Sequence, residues 1–263
     1  MHTIEFRSGK ATRVLFTVLA ILLALHFTVA FSHLVLHLRM AALSQLADLD
    51  LESNLPTFFN CGLFFLAAPL FYLHGRSASP KDRRGWFVMA GIFVFLGIDE
   101  GSQIHEKLMN VTNRLLHNSG AGGPAMDWLF FAWVIPYGLA LLGLAAVLFR
   151  WFTRMEPKLR RNLVISGVVY VSGAIVMEMI GSKVLMSIAP KDVSAYPWMP
   201  CEVYGDPSGC WAFMEPGYVA LYTVEETLEM TGLILCIRAL LQAFERNGQR
   251  LSLNLAGEAS QRA

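Results

Sequence analysis

The chain has 263 residues, of which 55% are hydrophobic and 16% charged, with a net charge of +1 at pH 7. A soluble domain carries about 25% charged residues; with a mean hydropathy of +0.47, this composition excludes an ordinary soluble domain and predicts an integral membrane protein. The near-zero net charge gives no basis for a nucleic-acid partner, and there is no Gly-rich phosphate loop, Cys-x-x-Cys or His-Glu-x-x-His motif.

About 20 apolar residues are needed for a helix to cross the hydrocarbon core. Six segments meet that length, so the expected fold is all-α: one integral membrane domain over 1–263, a multi-pass bundle of six transmembrane helices. The first is 14–36, preceded by Arg7, Lys10 and Arg13. A cleaved signal peptide is the competing reading, but the stretch is long for one and is interrupted by His26 and His33. The second, 55–73, carries no charge. The third, 86–109, is apolar for thirteen residues and then meets Asp99 and Glu100. The fourth, 128–149, is uncharged, with Pro136 as an expected kink. The fifth, 163–189, contains Glu178 and Lys183, and the sixth, 216–241, contains Glu225, Glu226 and Glu229. A polar tail, 246–263, follows.

Of the 21 Lys and Arg residues, sixteen fall in 1–13, 74–85, 150–162 and 238–263, and four in the alternate connections. By the excess of Lys and Arg on the cytoplasmic side, both termini are expected in the cytoplasm, with the bacterial inner membrane as the expected location. Cys201 and Cys210 then share an outer, oxidising loop, where a disulfide is expected and two free thiols are the alternative. Cys61 and Cys236 read as small core residues.

Seven carboxylates sit within or at the edges of apolar spans: Asp99, Glu100, Glu106, Glu178, Glu225, Glu226 and Glu229. Each ionised group there costs about 2.5–3.5 kcal/mol on the mildest insertion scale. At about 1.5 Å per residue, Asp99 lies about 20 Å from the cytoplasmic end of its helix, Glu178 about 22 Å and His26 about 18 Å, and Glu225 to Glu229 lie roughly 13–20 Å below the outer start of theirs. The acids therefore share a depth in the outer half of the bilayer. Facing agrees. Asp99, Gln103 and Glu106 lie on one stripe of a continuous helix, Glu225 and Glu229 on another that Tyr218 and Tyr222 extend, and His26, His33 and His37 on a third.

Several of these residues also have plainer readings. Glu106 and Lys107 fit a solvated helix end equally well, and His105 is expected to point away from the Asp99 stripe. The tyrosines fit an aromatic belt. Lys183 is a poor partner for Glu178 because five residues separate them.

Two things can balance such acids. Protons can neutralise them, or a cation can sit among them. Carboxylates and imidazoles without thiolate suit a divalent Zn, Fe or Mn ion. Carboxylate di-iron bundles use a Glu-x-x-His pair, which this chain lacks, although His33 and His37 have i, i+4 spacing. The expected metal ligands are Asp99, Glu100, Glu178, Glu225, Glu226, Glu229 and His33, with Glu100 or Glu226 as general base. Three functions follow. The first is a metal-dependent membrane enzyme acting on a lipid, lipid-linked or other small-molecule substrate. The second is a proton- or cation-coupled transporter or channel, for which the acidic pairs Asp99–Glu100 and Glu225–Glu226 resemble the two halves of an inverted repeat. The third is a non-catalytic membrane subunit. A homo-oligomer is compatible with all three.

Overall fold

The computed structural model describes residues 2–5, 7–118, 126–188, 191–204, 210–249 and 252–255. The α-helices in chain order are α1 (Ser8–Leu34), α2 (Ala41–Ala47), α3 (Leu55–Ser77), α4 (Pro80–Ser102), α5 (Ile104–Asn118), α6 (Val134–Thr153), α7 (Pro157–Val171), α8 (Glu178–Ser187) and α9 (Pro216–Arg246). A π-helical stretch, Ser172–Met177, fuses α7 to α8. Six units are long and apolar enough to cross a membrane: α1, α3, α4, α6, the α7–α8 unit and α9. Helices α3, α4, α7 and α9 all begin with proline in the first turn, where its missing N–H leaves no bond unmade. The helical fold has one addition: His2–Glu5 (β1) pairs antiparallel with Ser252–Leu255 (β2), so part of the expected polar tail is tied to the N-terminus. We call this the terminal end of the bundle, and the opposite end, which carries Cys201 and Cys210, the cysteine end.

Helix α9 is the centre. Of its most apolar stretch 67% is buried, against 17% for α6. Met230, Leu233, Ile234, Ile237, Leu240 and Leu241 pack on the α3 stripe of Leu63, Phe64, Ala67 and Phe71. Both rows follow the i, i+3, i+4 spacing that keeps side chains on one helical face. Helices α7 and α8 approach α9 through two glycines. A Cβ on Gly173 would lie 2.7 Å from the Glu225 carbonyl oxygen, and one on Gly232 would lie 2.7 Å from Tyr170 Cβ.

Three expected spans depart from the reading in more than the placing of their ends. The third does not run on to Met109. It stops at Ser102, Gln103 turns left-handed (φ 54°), and α5 restarts at Ile104. Asp99 drives the break: its Oδ1 accepts the His105 N–H at 2.9 Å, satisfying a donor in the first turn of α5. The fourth starts at Val134 rather than 128, because the preceding turn is held by α8 instead. Ser182 Oγ donates to the Asp127 carbonyl and accepts the Phe130 N–H, both at 2.8 Å, and Lys183 pairs with Asp127 at 2.6 Å. The fifth is interrupted by the π-helical stretch, which sets the direction of Glu178.

The α1–α3 connection folds back into the bundle and is pinned by buried polar groups. His26, fully buried, meets Thr223 Oγ1 at 2.9 Å and accepts the Leu49 N–H at 3.3 Å. The Tyr204 hydroxyl donates to Asp48 Oδ2 at 2.8 Å. Asn54 donates to the Asp48 carbonyl and caps α3 by accepting the Thr57 N–H. Cys201 and Cys210 form a disulfide, and Cys61 and Cys236 are buried free thiols.

Candidate metal centre

A cavity of about 1280 Å³ runs between α4, α6, the α7–α8 unit and α9. Its lining at the cysteine end includes nine carboxylates: Asp50, Glu52, Asp99, Glu100, Glu106, Glu178, Glu225, Glu226 and Glu229. The six carboxylates expected as ligands, Asp99, Glu100, Glu178, Glu225, Glu226 and Glu229, thus share one cavity. They come from α4, α8 and α9, and the glycine contacts of α7–α8 with α9 bring Glu178 toward Glu225 and Glu229. The carboxyls of Glu178 and Glu225 are close enough to share a hydrogen bond. Glu178 also accepts the Trp133 indole N–H at 2.8 Å, and Glu100 accepts from Asn60 Nδ2 at 2.9 Å.

The residues best placed to hold a metal are Glu52, His105 and Glu106, whose donor atoms lie within 4.8 Å of one another. The break at Gln103 makes this possible. In a continuous helix His105 would point away from Asp99; after the break its Nδ1 lies 3.4 Å from Asp99 Oδ2. Glu52 comes from the folded-back α1–α3 connection. Burial, then the charges of Glu100 and Glu106, raise the Glu52 carboxyl to about 7, with His105 opposing. Asp50, beside it, is raised well above the usual carboxylate range by burial and by Asp48. For His105, burial alone would lower its basicity, but the hydrogen bond to Asp99 and the charges of Asp99, Glu100 and Glu106 raise it to about 9.

The cluster needs positive charge. Among the described residues no Lys or Arg pairs with a cavity carboxylate; Lys183 is taken by Asp127 and Lys191 by Glu215. One buried polar atom close by, Asn60 Oδ1, has no hydrogen-bond partner among the described residues. An unpaired buried polar atom costs about 1–3 kcal/mol, so it fits a site built around a bound group. A carboxylate–imidazole donor set without thiolate can hold a divalent metal.

His33 lies elsewhere. Its Nε2 is 3.3 Å from Ser44 Oγ and its Nδ1 is 3.4 Å from the Tyr204 hydroxyl, in the polar network around Asp48 and outside the cavity lining. His37 stacks on Trp198 at 4.2 Å. Sequence reasoning missed Asp50 and Glu52 and set His105 aside. The one available signal was the alternation Asp48-Leu49-Asp50-Leu51-Glu52, acids spaced with leucines in a connection that would otherwise be solvated.

No curated protein and no solved structure matches the chain. A family model described as a domain of unknown function, DUF8692, matches residues 13–244, a stretch that includes α3, α4, α6, the α7–α8 unit and nearly all of α1 and α9, and the chain belongs to that family.

Proposed function

We propose that the protein is a metal-dependent enzyme of a bacterial inner membrane, with both termini cytoplasmic and its site in the outer half of the bilayer, acting on a lipid or lipid-linked substrate. The observation that carries this reading is the group Glu52, His105 and Glu106, with donor atoms within 4.8 Å of one another, facing a cavity of further unbalanced acids. A Zn, Fe or Mn ion held there would activate water for hydrolysis or support an oxidation. Around it the chain supplies orientation and proton handling. Asp99 holds the His105 ring, Asn60 holds Glu100, and Glu100 or Glu226 lies on the cavity wall as the general base.

Metal analysis of the purified protein is the test. The expected result is a stoichiometric transition metal, reduced at least tenfold in a Glu106→Gln, His105→Ala double variant that still folds. A second reading, cation- or proton-coupled transport, draws on the Glu178–Glu225 carboxyl pair. Metal-free protein that drives pH-dependent flux in vesicles would replace the enzyme with that reading.

A further inference from the structure

The cavity is divided in its chemistry. Its acids stop at Asp99 on α4, Glu178 on α8 and Glu229 on α9. Toward the terminal end the wall is apolar: Phe93 and Met89 on α4, Leu144 and Leu148 on α6, Leu163 on α7 and Leu233 on α9. Two polar groups interrupt it: the Ser166 hydroxyl is already spent on the Gly232 carbonyl at 2.9 Å, and the Trp151 indole N–H, buried at the far end, has no partner among the described residues.

The arm is also long and follows a single helix. Lining residues on α6 and its flanks recur every three or four positions from Trp133 to Met155, a run of about 33 Å at 1.5 Å per residue. The apolar part, from Ala140 to Met155, covers about 22 Å. That exceeds one leaflet, about half of a 30 Å hydrocarbon core. The opposite face of α6, with Leu139, Leu142 and Val147, is exposed and belongs to the surrounding lipid. Gly167, which lines the arm, is exposed, and an added Cβ there would meet nothing within 4 Å.

From this layout we infer that the substrate is an amphiphile whose apolar tail lies extended in the arm. Its head sits at the acid cluster, and its tail lies along α6 as far as Trp151 and Met155. An oxyanion head, such as a phosphate, complements the bound cation; this part rests on the metal reading above. The tail assignment rests on the arm alone.

The test uses the full-length protein in lipid nanodiscs and a long-chain polyprenyl phosphate carrying a diazirine at its tail end. Irradiation should label Trp151, Phe152 or Met155, and a short farnesyl analogue should not reach them. Gly167→Phe, on the arm's lining where an added Cβ meets nothing within 4 Å, should lower that labelling at least tenfold. Labelling confined to Leu139, Leu142 and Val147, or unchanged labelling in Gly167→Phe, would overturn the inference. Metal content measured on the same samples separates the two claims. Metal-loaded protein without tail labelling rejects the arm and keeps the metal site; tail labelling in metal-free protein keeps the arm and rejects the metal.

Discussion

Asp99 holds His105 twice: Oδ1 accepts its backbone N–H at 2.9 Å, and Oδ2 lies 3.4 Å from its Nδ1. One carboxylate thus starts α5 and aims the imidazole at Glu52 and Glu106. Two effects of Asp99→Ala follow. Loss of a helix-capping acceptor costs about 0.5–2 kcal/mol, and the freed ring should lose the metal. Asp99→Asn keeps an acceptor for the N–H and should recover most of the stability. Thermal unfolding and metal content of both variants check this; metal retained in folded Asp99→Ala would show that Asp99 does not position the ligand.

The close approach of α7–α8 to α9 gives a second prediction. Gly173→Ala puts a methyl 2.7 Å from the Glu225 carbonyl oxygen and 2.9 Å from Glu229 Cγ. Backbone must then move, at about 1–3 kcal/mol. Gly181→Ala meets nothing within 4 Å and should be neutral or gain up to about 1 kcal/mol from helix propensity. Unfolding midpoints of the two variants in one detergent measure the difference, and equal midpoints would contradict the packing.

These relationships mark what the sequence could reveal. Apolar runs of sufficient length located the six long helices. Common depth and i, i+4 spacing placed Glu225 and Glu229 beside Asp99 and Glu178, because a helix fixes both properties by geometry alone. The left-handed turn at Gln103 was illegible. Glycine or asparagine usually takes that conformation, and here its cause is a side chain, Asp99, bonding six residues ahead. The inward fold of Asp50 and Glu52 depends on partners distant in sequence: His26, which accepts the Leu49 N–H, and Tyr204, which donates to Asp48. The π-helical stretch before Glu178 likewise has no compositional mark.

The Gln103 turn can be tested directly. A non-glycine residue at φ 54° carries strain of about 1–2 kcal/mol. Gln103→Gly should therefore raise stability and leave the His105 geometry intact. Gln103→Val should lower it, since a β-branched side chain tolerates that backbone least. Thermal unfolding orders the three proteins; a Gly variant less stable than the native chain would refute the assignment.

His33→Ala separates the two histidine environments. His33 is 4% exposed and contacts Ser44 and Tyr204 rather than the cavity acids. Its removal loses two hydrogen bonds at about 0.5–1.5 kcal/mol each, while Ser44 still donates to the Met40 carbonyl and Tyr204 to Asp48. The folded fraction should keep its full metal content, whereas His105→Ala should lose it. Metal lost from folded His33→Ala would move the site toward α1.

The disulfide should act on the site through Tyr204. That residue lies inside the loop closed by Cys201 and Cys210, and its hydroxyl donates to Asp48 Oδ2 at 2.8 Å. Asp48 Oδ1 in turn accepts the Asp50 N–H at 3.3 Å, next to the segment that carries Glu52 into the cavity. Opening the loop frees Tyr204 and loosens this chain of contacts, so Cys201→Ser should lower both stability and metal affinity. Tyr204→Phe removes the same contact from the other side. If the disulfide works by holding Tyr204, the double variant should be barely worse than Cys201→Ser alone, with a coupling energy of at least about 0.5 kcal/mol. Strictly additive losses in unfolding midpoint and metal affinity would mean that the disulfide stabilises the cysteine end independently of the site.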